Sequence, residues 1–155
     1  MTNPLQLDLL KFQDELVIKK VNGVVKVFDP VRNKFLVKGP EEIVRQLTIQ
    51  YLIKEKKYKK NRMAVEKMLM VNGLLKRFDI LVYDERTAPF ILVECKAPAV
   101  SISEVTFRQI AAYNLPLKVK YLLVTNGIDS YCCEMNYEKQ TFEFLDEVPC
   151  FVEMN

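Results

Sequence analysis

The chain has 155 residues, half of them hydrophobic and 28% charged, with a formal net charge of +3. That is long enough to bury a core and too apolar for a disordered protein. No apolar run approaches the roughly 20 residues that span a bilayer, and histidine is absent altogether, which removes Ser-His and Cys-His nucleophile pairs.

The start, MTNPLQLDLLKF, lacks the basic and apolar regions of a signal peptide, so a cytoplasmic protein free of the membrane is expected. Neither GxxxxGK[ST] nor GxGxxG occurs, and no nucleotide cofactor is expected. Of the four cysteines, Cys132 and Cys133 are adjacent and no CxxC is present. Reduced structural thiols are expected rather than disulfides or a zinc site.

In chain order, ELVIKKVNGVVKVFD alternates and turns at Asn22-Gly23, a strong hairpin signature. A helix opens after Gly39, with Pro40 at its first position and Glu41 and Glu42 in its first turn, where the dipole favours acids. EEIVRQLTIQYLIKEK then puts Ile43, Val44, Leu47 and Tyr51 on one face. It runs into a basic stretch from Lys54 to Arg62, read first as a solvated helix end.

MAVEKMLMV and LLKRFDILVY are expected as strands joined by Asn72-Gly73, and Asp84 to Pro89 connect the second to FILVECK. Ser101 and Glu104 have the spacing of a capping box for a helix to about Asn114. KVKYLLVTN reads as a buried strand, and YCCEMNY with TFEFL as a last hairpin turning near Glu138-Lys139. The sum is one α/β domain over residues 1–155, a mixed sheet flanked by helices with further hairpins at both ends.

Register concentrates charge. In FILVECK, Glu94 and Lys96 share a face. Folding the hairpin about the middle of Asp84–Pro89 sets Asp79 opposite Glu94, and directly opposed residues have Cβ atoms about 4.5–5.5 Å apart. A two-residue Asn72-Gly73 turn likewise sets Glu66 opposite Asp79. Opposed carboxylates repel, and a divalent cation resolves the conflict, because Mg²⁺ takes one or two carboxylates plus waters and phosphate oxygens. Such an ion makes a nucleophile of water without histidine, and Lys96 is placed to orient that water or to stabilise developing negative charge. The plain alternative is a strand-edge salt bridge in which Lys96 neutralises one acid.

At these residues the chain resembles the PD-(D/E)XK nuclease superfamily: Asp79, fourteen intervening residues, then Glu94-Cys95-Lys96 on strands that precede a helix. More narrowly it resembles the N-terminal nuclease domain of type I restriction enzyme R subunits, through PEEIVRQ, RFDILVYD, LVECKAP, KYLLVTNG and the QxxxY pair Gln109 and Tyr113. These motifs cover about residues 38 to 128, and Phe78 stands where the superfamily has its proline.

The resemblance implies a restriction-endonuclease-like core and a Mg²⁺-dependent endodeoxyribonuclease, with Mn²⁺ as substitute. Asp79 and Glu94 would bind metal, Lys96 would be the catalytic lysine, and Gln109 and Tyr113 would support the site or contact DNA. Glu42 would complete the metal site, with Glu41 as its rival. The R subunit's ATP-driven motor is not found in this chain, so a stand-alone form is expected, as a homodimer or beside partner restriction subunits. A non-catalytic subunit that keeps the fold for DNA binding or assembly is the alternative. For nucleic-acid contact the candidates are Lys56, Lys57, Lys59 and Lys60, with Tyr58 interleaved.

Overall fold

Two asparagine–glycine pairs set the hairpins of the computed structural model, which describes residues 3–152. Asn22 and Gly23 take φ of 50° and 80°, and Asn72 and Gly73 take 50° and 77°. Positive φ at both turn residues matches the right-handed twist of the flanking strands. Strands β1 (Ile18–Val21) and β2 (Val24–Asp29) therefore pair Val21 with Val24, while β4 (Met63–Val71) and β5 (Leu74–Tyr83) pair Val71 with Leu74.

A further strand, β3 (Lys34–Val37), joins β2 and completes a three-stranded sheet. No asparagine–glycine pair announces it. The Asp29 carboxylate makes the bend instead, accepting from the Val31 and Arg32 amides at 2.8 and 2.9 Å. Helix α1 (Pro40–Lys54) follows, and its buried residues extend well beyond one face to include Arg45, Gln46 and Thr48. The large sheet lies against one side of it and a 3-10 helix over Leu9–Glu15 against another, where the Phe12 and Tyr51 rings meet edge to face.

The larger sheet has six strands in chain order, β4 and β5 followed by β6 (Pro89–Cys95), β7 (Tyr121–Thr125), β8 (Ser130–Asn136) and β9 (Thr141–Phe144). Only β6 and β7 run parallel, joined by a crossover through α2 (Glu104–Asn114). Ile80, Val82, Ile91, Val93 and Leu123 pack with Val44 and Leu47 of α1, whereas Leu81, Leu92, Leu122 and Val124 pack with Phe107 and Ala111 of α2. Helices on both faces explain why FILV and YLLV are apolar without alternation.

The cap of α2 corrects one expectation. Ser103, not Ser101, precedes the helix, and its hydroxyl accepts from the Thr106 amide at 3.1 Å. Glu104 is then the first helical residue, two positions too early to reach back in a capping box, whose third helical position is Thr106. All four cysteines are free, three of them buried. Among the described residues no helix is long and apolar enough to cross a membrane.

Candidate active site

The β5–β6 ladder pairs Ile80 with Val93 and Leu81 with Leu92. The next step of that register sets Asp79 against Glu94, as the symmetric hairpin requires. A bulge at Val82–Tyr83 is confined to the turn end and leaves this register intact. Asp79 Oδ2 accepts the Cys95 amide at 2.7 Å, so the aspartate is tied to the strand that carries its neighbour. Burial, and then the Asp79 carboxylate beside it, push the Glu94 acid up to about 8, against the opposing pull of Lys96 and Asn114. At neutral pH the pair therefore carries a proton on Glu94 unless a cation displaces it.

The β4–β5 ladder passes Lys67–Phe78 and Val65–Ile80 on either side of Glu66 and Asp79, skipping only that pair. Glu66 sits there at φ 54°, in the left-handed region that β-strand residues avoid. Face alternation also breaks at this step: Phe78 packs in the α2 core and Ile80 in the α1 core, although they are two residues apart. The irregularity opens the sheet beside the acid pair.

Arg45 of α1 fills that opening. Its Nη2 lies 3.1 Å from Asp79 Oδ1, 2.9 Å from Glu66 Oε1 and 3.3 Å from Glu41 Oε1, while its Nη1 lies 2.9 Å from Glu42 Oε1. Burial opposes the charge of Arg45, yet Glu42 and Asp79 more than offset it and raise its pKa. Glu66 also pairs with Arg77. The sequence does contain a sign of Arg45, since it follows Glu41 and Glu42 by four and three residues and so shares their helix face. Its reach to Asp79 is a tertiary fact that spacing does not carry.

Glu42 is thereby separated from the Asp79–Glu94 pair. Its Oε1 lies 3.2 Å from Arg32 Nη2 and 2.9 Å from Arg45 Nη1, and its Oε2 accepts from Gln46 at 3.3 Å. Among the described residues no three acidic or cysteine side chains converge as a metal cage. The donor chemistry of the pair itself suits a hard divalent cation: two carboxylates are held together, and burial with their mutual repulsion outweighs the pull of Lys96.

An open cleft of about 430 Å³ collects the rest: Glu94, Lys96, Gln109 and Tyr113 line it together with Arg77 and Asn114. A larger hollow, about 530 Å³, lies beside Leu10, Ile43, Leu47 and Ile128 and holds none of these groups. Lys76 is buried, donates its ammonium to the Tyr113 carbonyl and stands 4.1 Å from the Tyr113 ring centroid. It fastens the end of α2 to β5. Asn114 is also buried, with its amide nitrogen bonded to the Ile110 carbonyl at 2.9 Å and its amide oxygen without a partner. Neither residue has a sequence signal beyond its place on a helix or strand.

The basic run lies elsewhere. Phe90 is near the start of β6 and Glu94 near its end, about 13 Å along the strand; Tyr58 packs against Phe90 at 6.4 Å. The run is therefore at the opposite end of β6 from the acid pair. Lys56 is buried with its ammonium 3.9 Å from Glu147, and Tyr58 is buried with its hydroxyl donating to the Pro149 carbonyl at 2.7 Å. The solvated reading therefore fails at Lys56 and Tyr58 only, the other lysines of the stretch being exposed, and Tyr58 is removed as a base-stacking surface. Lys57 donates to the Lys54 carbonyl, Lys59 stands over the Phe151 ring, and Lys60 is exposed.

A mixed sheet covered on both faces, with an acid pair, a lysine and a cleft gathered where β5 and β6 meet α1 and α2, defines a restriction-endonuclease-like α/β fold. The chain belongs to the family described as "Type I restriction enzyme R protein N terminus (HSDR_N)", whose profile matches residues 40–149. It is also similar to a solved fragment assigned to an HsdR subunit of a type I restriction enzyme from Vibrio vulnificus YJ016, at 20% identity and a TM-score of 0.51. The similar region is 71% of this chain and 23% of that one, so the chain spans about a quarter of the fragment's length. A comparison with curated proteins finds no match.

Proposed function

We propose that the chain is a Mg²⁺-dependent endodeoxyribonuclease of the restriction type. One observation carries this reading: Asp79 in the middle of β5 stands against Glu94 near the end of β6, with Lys96 in the cleft that Glu94 shares with Gln109 and Tyr113. Asp79 and Glu94 would hold the ion, and Glu42 would join them only where Arg45 turns aside. A bound Mg²⁺ supplies Lewis acidity, polarising the phosphoryl oxygen and lowering the pKa of water.

The chain's own groups have separable tasks. The Cys95 amide and Arg45 fix the Asp79 carboxylate from two sides. Glu94 gives up its proton before it can act as a ligand. Lys96 orients the attacking water and offsets negative charge as the phosphodiester becomes pentacovalent. Gln109 and Tyr113, four apart on α2, position the strand to be cut.

Cleavage of plasmid and single-stranded DNA with Mg²⁺ or Mn²⁺ tests the proposal. Asp79→Ala and Lys96→Ala are each expected to slow cutting by about a thousandfold, on the order of 4 kcal/mol of transition-state stabilisation. Unchanged rates in both variants would defeat it.

The position of Arg45 favours a second reading, a non-catalytic DNA-binding or assembly subunit in which the guanidinium serves permanently where a metal would be needed. It predicts DNA binding that is indifferent to Mg²⁺ and to Glu94→Gln, and no cutting. Partner restriction subunits and a homodimer are compatible with both readings.

A further inference from the structure

Residues 16 to 38 build β1, β2 and β3 and carry five lysines and Arg32 against one acid, Asp29, whereas the whole chain is only +3. Arg32 and Asp29 neutralise each other at 2.7 Å. The five lysines, 19, 20, 26, 34 and 38, form no ion pair among the described residues. Lys19 and Lys26 are register partners across β1 and β2. Directly opposed like charges destabilise a sheet, and here no acid intervenes.

The face they occupy is the outward one. Lys26 pairs with Val37, and Phe28 with Phe35, on that same side, while Val27 and Asp29 on the other side are buried. The Phe28 and Phe35 rings lie 5.1 Å apart, pack in neither core cluster, and have Lys19 3.8 Å above Phe35. Lys20 and Lys34 are exposed too, but their register partners Val25 and Asp29 place them on the other side, and Lys38 is exposed just past the end of β3. Two cations side by side on neighbouring strands, rather than a converging cluster, suit successive phosphates better than one small anion.

This sheet is locked to the candidate site. Asp29 accepts from Gln46 at 3.0 Å, Arg32 donates to Glu42 at 3.2 Å, and β3 leads through Lys38 and Gly39 directly into α1. Lys26 is three residues from Asp29 along β2, about 10 Å, or roughly three base pairs of DNA at 3.4 Å each.

We propose that the outward face of the small sheet, centred on Lys19 and Lys26, binds the phosphate backbone of DNA next to the cleft. The nuclease reading enters only in naming DNA as the polyanion. Phosphates between the two ammonium groups remove the repulsion, and the Phe28–Phe35 surface supports the sugar side of the strand.

Fluorescence anisotropy of a labelled 20-base-pair duplex in EDTA, across a salt series, tests this without cleavage. Wild type is expected to bind with a steep salt dependence. Lys19→Gln/Lys26→Gln is expected to weaken binding about tenfold and to flatten the log–log slope by about two, near 0.9 for each phosphate left without its lysine. Lys57→Gln/Lys60→Gln, at the far end of β6, should leave both quantities unchanged. Wild-type binding that is absent, or that the Lys19 and Lys26 changes do not move, overturns the inference. The nuclease reading fails separately: binding that depends on Lys19 and Lys26 without any cutting in Mg²⁺ or Mn²⁺ keeps the surface and removes the activity. Cutting that depends on Asp79 while binding ignores Lys19 and Lys26 does the reverse.

Discussion

Two of the like-charge pairs that face each other across neighbouring strands are treated differently by water. Lys19 and Lys26 are opposed on the outward face of the small sheet. Their long stems let the ammonium groups splay into solvent, and the cost stays within the 0.2–1 kcal/mol range of cross-strand pairs, about what a surface ion pair would return. Asp79 and Glu94 are opposed between two covered strands, on short side chains that cannot separate. Burial there strengthens every charge interaction, and the repulsion surfaces as a proton held by Glu94 up to about pH 8. Burial, more than charge, makes one pair a surface feature and the other a demand for a cation, met from one side by Arg45 and from the cleft by Lys96.

Removing Arg45 should break this contrast most visibly. Arg45→Ala leaves Glu42, Asp79 and Glu66 together without their shared guanidinium, and deleting one partner of a buried ion cluster typically costs about 3–5 kcal/mol. Urea unfolding should show a loss of about 3 kcal/mol in the metal-free protein, partly restored by millimolar Mg²⁺ or Mn²⁺ through binding to the folded state. A variant as stable as wild type would mean that the acids are far better solvated than their burial implies.

A smaller effect separates the acid pair by pH. The Glu94 acid is raised in the folded state from its usual 4.5 to about 8, so the unfolded chain ionises first. Metal-free stability should be unaffected by this group below pH 4.5, fall as pH rises towards 8, and level off above it. The difference between wild type and Glu94→Gln isolates the contribution from other titrating groups, and a melting-point difference that widens by several degrees between pH 5 and 8 is expected. Stabilisation by Mg²⁺ should grow over the same window, because the ion competes with that proton. A pH-independent difference would mean that Glu94 is neither shielded from water nor within reach of the Asp79 charge.

Counting along the chain recovered the acid pair because two hairpins end in turns of known geometry: Asn72-Gly73 sets Val71 against Leu74, and the symmetric Asp84–Pro89 loop leads back to Ile80 against Val93. Counting also aligned Glu66 with Asp79, but not the positive φ at Glu66 or the guanidinium that bridges the two acids. Asn114 and Lys76 leave no local pattern, because each owes its role to a distant neighbour or to burial at a helix end, while Arg45 shows only its spacing from Glu41 and Glu42 and not its reach to Asp79. Strand β3 was hidden because its turn opens at Asp29-Pro30 with a side-chain-made bend and not at an asparagine–glycine pair. Within the basic run, composition pointed to solvent and Lys54, Lys57, Lys59 and Lys60 are exposed, but it could not show that the chain after β9 folds over Lys56 and Tyr58.

The smallest effect tests the lysine pair itself. Lys26→Gln removes the charge opposite Lys19 and touches no ring, so stability should rise by about 0.5 kcal/mol at 0.05 M salt. Lys19→Gln relieves the same repulsion but also gives up the ammonium over Phe35 at 3.8 Å, an interaction worth about 0.5–1 kcal/mol at an exposed site, so its net change should be near zero. At 1 M salt, where the Debye length is about 3 Å, the Lys26→Gln gain should vanish, because exposed charges no longer feel each other. If the gain persists there, Lys26 is destabilising through lost hydration rather than repulsion, and the two like-charge pairs differ less than their surroundings indicate.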